Sequence, residues 1–317
     1  MAITINTNVK DMKSIRNEFK KNGVFYSSLD LAEKLKSYVP EDVTEVYDPT
    51  CGSGALLSVF GDDVKKYGQE LDEQQAQYAQ EHLVNAEIVA GNTLTDPAFI
   101  GKKFRAIVAN PPFSVKWEPN AEDERFKVAP ALAPKSKADY AFILHCLHYL
   151  ADDGKAVCLD AHGILFRGNA EGQIRKWLLE NNYIEKIVGF GAGYFVDTSI
   201  PTCALILNKS KKTTDIVFED TVINKGRVVK LEEIVRNDFN LNLSRYIQEE
   251  RPKVKYDFLK ENNNLREEIK EKLRCDIELQ YILCKELDLG SFNDFIFDLE
   301  QIIKNGKHKN FRPSTLF

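Results

Sequence analysis

Short apolar runs, each closed by polar or small residues and separated by stretches with helical spacing, set the pattern of this chain. The run Arg105-Ala106-Ile107-Val108-Ala109 is continuous rather than alternating, which predicts a strand buried on both faces. It leads into Asn110-Pro111-Pro112-Phe113, where the prolines fix φ, remove two backbone donors and hold the preceding residue extended. Comparable runs predict strands over 43–47, 66–71, 86–90, 155–160, 184–190 and 202–207. Helical spacing predicts a helix carrying Leu29, Leu31, Ala32 and Leu35, with Ser27 or Ser28 as its N-cap. Further helices are expected over 55–60, 74–84 and 171–180, with an amphipathic one over 138–150. This alternation specifies a doubly wound, mostly parallel α/β sheet of seven strands. Beyond Tyr246 the pattern changes. Leu265, Ile269, Leu273 and Ile277 form an i, i+4 stripe on a long helix over 259–289, and helical spacing resumes over 292–303.

Three segments follow from this pattern. A basic stretch over 1–22 carries Lys10, Lys13, Arg16, Lys20 and Lys21, an α/β domain occupies 23–247, and a helical extension occupies 248–317. A stripe of the kind in the extension serves core packing or a partner helix.

Four predicted strands finish on polar residues: Asp48, Glu70, Asn92 and Asn110. In an open parallel sheet such ends share one cleft. Asp48 opens the turn Asp48-Pro49-Thr50-Cys51-Gly52-Ser53-Gly54, whose glycines let the backbone approach a ligand and whose acid can take a cation or a hydroxyl. The turn lacks both the Gly-Lys-Ser/Thr ending of a phosphate loop and the third glycine of a dinucleotide fingerprint, so a ligand without phosphates is indicated. Glu70 stands roughly twenty residues further on, where doubly wound folds place the acid that binds ribose hydroxyls. Asn92 can read an adenine edge. A nucleoside-type cofactor is therefore the leading expectation. At Asn110, the side-chain carbonyl and the Pro111 carbonyl are acceptors beside the flat face of Phe113, which suits a planar base with an exocyclic amino group such as adenine. Taken alone, Asn-Pro-Pro is equally a strand ending in a proline-rich turn.

Composition narrows the class. The chain has 317 residues, 43% of them hydrophobic and 29% charged, enough for one large α/β domain or a smaller domain with an appendage. No apolar run approaches the roughly 20 residues of a membrane span and the N-terminus lacks a signal-peptide core, so a cytoplasmic location is expected. Cys51, Cys146, Cys158, Cys203, Cys275 and Cys284 are scattered without metal-ligand spacing, and neither disulfides, structural zinc nor a catalytic thiol is expected. The five histidines are expected to be structural. A net charge of −5 does not suit a protein that grips nucleic acid unaided, so DNA binding would come from local patches or a partner.

The Asp48–Gly54 turn and Asn110-Pro111-Pro112-Phe113 resemble the S-adenosylmethionine and catalytic motifs of amino-group DNA methyltransferases. The blocks at 114–117, 125–126, 133–142, 162–168, 170–175, 198–202 and 240–246 resemble the modification subunits of type I restriction systems, N6-adenine DNA methyltransferases. The likeness runs from about Gly23 to Ile247. It implies that Phe25 and Tyr26 border the cofactor, that Asp48, Cys51, Gly52, Ser53 and Gly54 line its methionine side, and that Glu70 meets the ribose and Asn92 the adenine. Asn110, Pro111, Pro112 and Phe113 would form the catalytic turn, with Phe113 and Phe195 stacking on the target base. Implied partners are double-stranded DNA, a DNA-specificity subunit docking on the C-terminal helices, and a restriction subunit. Three departures stand out: Asn92 replaces the family's usual Asp, Ser28 stands where a Pro is common, and the family's large N-terminal helical region has no counterpart before Gly23. The alternatives are a methyltransferase of RNA guanine or of a protein glutamine amide, and a non-catalytic cofactor-binding scaffold.

Overall fold

The structure, a computed structural model, describes residues 29–191, 201–247, 258–286 and 290–306. They fall in two compact units divided between Glu249 and Glu250.

The first unit is built on one sheet. Its strands are β1 (Glu45–Asp48), β2 (Lys65–Glu70), β3 (Ala86–Ala90), β4 (Phe104–Ala109), β5 (Leu150–Ala161), β6 (Ile184–Phe190), β7 (Thr202–Asn208), β8 (Ile216–Asp220) and β9 (Lys225–Val229). The spatial order is β3-β2-β1-β4-β5-β7-β6-β8-β9. Strands β1 to β5 pair in parallel, while β7 runs antiparallel between β5 and β6. The seven expected strands are all present. The sheet nonetheless has nine, because β8 adds in parallel to β6 and β9 in antiparallel to β8. Strand β9 escaped the pattern for a physical reason: it is an edge strand with four of its five positions exposed, so core packing places no apolar demand on it.

Side chains alternate between two cores, as the pleat requires. On one face Val46, Ala106, Val108, Val157 and Leu159 pack with Leu31, Ala32 and Leu35 of helix α1 (Leu29–Lys36). On the other face Tyr47, Ile107, Ala109, Ala156 and Cys158 pack with helices α3 (Asp139–Tyr149) and α4 (Asn169–Glu180). Helix α2 (Glu73–His82) is N-capped by Asp72, whose carboxylate accepts the Gln75 N–H at 2.9 Å. The short helix α5 (Leu231–Arg236) follows β9.

Two helical expectations are corrected. Residues 55–60 form turns rather than a helix, with one Ser58 N–H to Gly54 carbonyl bond of 2.9 Å before the ladder tightens to Phe60–Leu57. Successive tight turns follow instead, the Phe60 N–H on the Leu57 carbonyl and the Val64 N–H on the Gly61 carbonyl, before β2 begins at Lys65. Helix α3 is not amphipathic: every position but His148 is buried. The cause is the segment 114–137, which supplies Trp117, Phe126 and Ala133 to the same core.

The second unit contains α6 (Phe258–Glu286) and α7 (Phe292–Gly306), with Tyr281 meeting Phe292 edge-on at 5.3 Å between ring centroids. Leu265, Ile269 and Leu273 are exposed along α6. The basic N-terminal stretch and the Ser27–Ser28 cap lie outside the described residues. Among the described residues no helix is long and apolar enough to cross a membrane.

Candidate active site

A cavity of about 720 Å³ opens at the carboxyl ends of β1 to β4. This is where the strand order changes direction, since β1 lies between β2 and β4, and its size is that of a small-molecule or cofactor site. Asp48, Cys51, Gly52, Ser53, Glu70, Asn92, Asn110, Pro111 and Pro112 all line it. Gly54 and Phe113 are not among its lining residues, and Phe25, Tyr26 and Phe195 lie outside the described ones.

The turn after β1 is shaped around two acids. Asp48 is buried, and its Oδ1 accepts the Thr50 N–H at 2.9 Å. Burial, opposed by the Thr50 N–H and reinforced by the nearby Glu70 charge, pushes Asp48 up to about 8, so the acid is mostly neutral at pH 7. Glu70 accepts the Gly52 N–H on Oε2 at 2.8 Å and the Asp72 N–H on Oε1 at 2.9 Å. Burial raises its pKa as well. Both oxygens keep lone pairs for further donors. Gly52 and Gly54 have φ of +53° and +90°, and a Cβ at Gly54 would lie 2.6 Å from Leu83 Cδ1. Gly54 therefore shapes the loop from behind the cavity wall. The buried Cys51 thiol is held well above its usual range by burial, which suits a packing residue and not a nucleophile.

Behind β3, the Asn92 side-chain oxygen accepts the Leu94 N–H at 2.9 Å. An N–H can only donate to oxygen, so this contact fixes the amide orientation and leaves Asn92 an NH2 donor for a ligand. The buried Thr93 hydroxyl lies 2.7 Å from the Pro49 carbonyl and 2.8 Å from Gln69 Oε1, tying this loop to the turn after β1.

The Asn110–Phe113 turn leaves β4 with Pro111 buried, Pro112 exposed and Phe113 half-buried. Its exit is anchored at Ser114, where φ is +54° and the N–H donates to Asp139 Oδ1 at 2.6 Å. Asp139, the first residue of α3, is fully buried and pairs with Arg167, which bonds Glu171 at 2.7 Å. Thr93, Leu94, Trp117 and Phe142 also line the cavity, and the sequence reading gave none of them a role. Trp117 falls within one of the recognised blocks, but nothing in its local pattern places an irregular segment against a cleft.

The lining combines an ionisable acid, a carboxylate with oriented lone pairs, amides, and apolar walls from Leu56, Leu71 and Leu94; Lys116 is its one cation among the described residues. That set suits a nucleoside with a cationic tail far better than a phosphorylated ligand. Among the described residues no cluster of His, Cys, Asp and Glu could hold a metal ion.

Fold and cleft together define a class, the doubly wound α/β proteins with a nucleoside-type site at the switch point. Within it, the chain belongs to the N-6 DNA Methylase family, whose family model matches residues 12–227. It is 32% identical to the methylase subunit of the type I restriction enzyme MpnII of Mycoplasma pneumoniae over 64% of this chain and 43% of that protein. It is 28% identical to the MjaVII methylase subunit of Methanocaldococcus jannaschii over 83% of this chain and 56% of that one. Among solved structures, a type I restriction-modification methyltransferase subunit from Streptococcus thermophilus is 32% identical, with a TM-score of 0.66 over 71% of this chain and 59% of that one. The chain thus spans about half the length of the curated relatives it matches.

Proposed function

We propose that this chain carries the cofactor and catalytic parts of a site-specific adenine N6 DNA methyltransferase, acting as the modification subunit of a type I-like restriction-modification system with S-adenosylmethionine as methyl donor. The observation that carries the reading is the convergence of Asp48, Glu70, Asn92 and Asn110 from four strand ends on one cavity.

When bound, S-adenosylmethionine supplies an electrophilic methyl group on a sulfonium. Asp48 gives up its proton and becomes the anionic partner of the cationic methionine end, with Cys51, Gly52 and Ser53 beside it. Glu70 accepts ribose hydroxyls on oxygens already oriented by two backbone N–H groups. Asn92 donates its NH2 to an adenine ring nitrogen. This differs from the role of the Asp more usual at that position, whose carboxylate accepts from the adenine amino group. By the resemblance, Phe25 and Tyr26 would border the cofactor.

At the mouth, the Asn110 side-chain carbonyl and the Pro111 carbonyl accept the two hydrogens of the target amino group. The nitrogen lone pair is drawn out of conjugation and aimed at the methyl, so catalysis is positioning plus electrostatics. Pro112 stiffens the turn, and Phe113 and Phe195 stack on a base flipped out of the duplex, offsetting a cost of a few kcal/mol. Bound there, S-adenosylmethionine would supply its methyl group to the nitrogen held by Asn110 and the Pro111 carbonyl, and the surplus proton of the amino group would pass to water. A net charge of −5 fits a subunit that borrows its DNA grip from a specificity subunit, for which the exposed apolar stripe of α6 is the proposed dock. A restriction subunit would complete the system, in the cytoplasm.

The test is incubation with labelled S-adenosylmethionine and duplex DNA, RNA or a release-factor-like protein, with and without a candidate specificity subunit. Label is expected in DNA adenine. Asn110→Ala is expected to abolish transfer while cofactor affinity stays within about threefold, because the residue touches the target and not the cofactor's anchors. Label in RNA or protein alone overturns the reading.

A further inference from the structure

Residues 114–137 leave the Asn110–Phe113 turn and reach α3 with no helix or strand of their own, yet Trp117 and Glu118 within them line the cavity. One buried guanidinium holds this segment. Arg125 is 4% exposed, and each of its five N–H groups has an acceptor. Nη1 donates to the Thr93 carbonyl at 2.6 Å and meets His145 Nδ1 at 2.9 Å. Nη2 donates to the Leu94 carbonyl at 2.7 Å and to Asp123 Oδ2 at 2.6 Å, and Nε donates to Asp123 Oδ1 at 2.9 Å.

These contacts fix the proton on His145. Arginine has no acceptor, so Nδ1 must present its lone pair, and the ring proton sits on Nε2. Nε2 then donates to the Tyr47 hydroxyl at 2.9 Å. Burial and the Arg125 charge keep the imidazole neutral, in agreement with that tautomer. The bonds run in one continuous chain from the Thr93 carbonyl through Arg125 and His145 to Tyr47. This chain of bonds links β1, the loop after β3, helix α3 and the segment after the catalytic turn. Thr93 and Leu94 are cavity wall, and Trp117 packs edge-on against Phe126 at 5.0 Å.

We propose that Arg125 is a positioning residue for the cofactor cavity, fixing the Thr93–Leu94 loop to the segment that carries Trp117, so that filling the cavity and ordering that segment are one coupled event. The inference rests on the S-adenosylmethionine reading and extends it to how the site is assembled. No other side chain meets the geometry. Lysine keeps the charge but offers three donors from a point, leaving at least two of the five acceptors unpaired.

The chain has two tryptophans, so Trp177→Phe leaves Trp117 as a single emission reporter on the cavity wall. In that background the protein is titrated with S-adenosylmethionine and with its demethylated product, Kd is measured by calorimetry and Trp117 emission is followed. Arg125→Lys, shown folded by circular dichroism, is expected to raise both Kd values at least tenfold and to remove most of the Trp117 response. Asp123→Asn is the milder second variant, with an expected rise of about threefold and a diminished response. A role confined to stability would lower the melting temperature and leave Kd and emission as they are. Unchanged Kd and an unchanged Trp117 response in the folded Arg125→Lys protein overturn the proposal, and Asp123→Asn decides in the same way where Arg125→Lys does not fold. Failure of the unsubstituted protein to bind either compound overturns the cofactor reading itself, and this inference with it.

Discussion

Asp48 is the residue on which binding and stability pull in opposite directions. Its folded pKa of about 8 stands above the ordinary carboxyl value of 3.8, so the folded chain keeps a proton that the unfolded chain has lost. Stability is therefore forfeited as pH rises from about 4 to about 8, on the order of 1 kcal/mol per pH unit, with no further loss above 8. Asp48→Asn is expected to be the more stable protein at pH 7 to 8, by chemical denaturation, and to bind S-adenosylmethionine at least tenfold more weakly by calorimetry. In the unsubstituted protein, affinity is expected to rise between pH 6 and 8 with release of a proton, read from calorimetry in buffers of different ionisation enthalpy. Asp48→Asn should show neither the slope nor the proton. A pH-independent affinity in the unsubstituted protein would remove Asp48 from the cation-binding role proposed for it.

At the scale of elements, the site depends on turns whose shape is set from outside the cavity. Gly54 combines φ of +90° with a Cβ position 2.6 Å from Leu83. Gly54→Val is expected to cost about 2 kcal/mol in urea denaturation, from the left-handed backbone and the overpacked contact together. Cofactor affinity should fall with it, because the Asp48–Gly54 turn can no longer keep its shape. The catalytic turn is held from behind in the same manner, by the Ser114 N–H on Asp139 and by Arg167 bridging Asp139 to Glu171. Asp139→Ala is expected to lower kcat for methyl transfer by roughly 10- to 100-fold through misplacement of Asn110. Its Kd for S-adenosylmethionine should move less than threefold, since none of the cofactor's proposed anchors touches Asp139.

For the whole molecule, every cavity-lining residue lies between Asp48 and Phe142, within the first of the two compact units. A chain ending at residue 249 is expected to bind S-adenosylmethionine with unchanged Kd and to lose association with a candidate specificity subunit in size-exclusion chromatography. Retained association would move the proposed dock away from the C-terminal helices. The same division accounts for what the pattern along the chain revealed. Strand β4 was legible because a strand buried on both faces must be apolar throughout, and β9 was not, because an edge strand with four exposed positions carries no such demand.

The sequence by itself determined the order of the first seven strands, the polar residues at their ends and the stiff Asn110–Phe113 turn, since these follow from local periodicity and from proline and glycine stereochemistry. Only the tertiary structure decided which of those residues share a cavity, that Gly54 acts from behind it, and that 55–60 never becomes a helix. It alone made Asp48 a neutral acid, because a pKa depends on burial and on charges that lie far off in sequence. It also gave Arg125 five acceptors drawn from three separate stretches of chain. Such long-range convergence leaves no periodic trace along the chain: Arg125–His145 joins residues 20 positions apart, and Tyr47–His145 joins residues 98 apart.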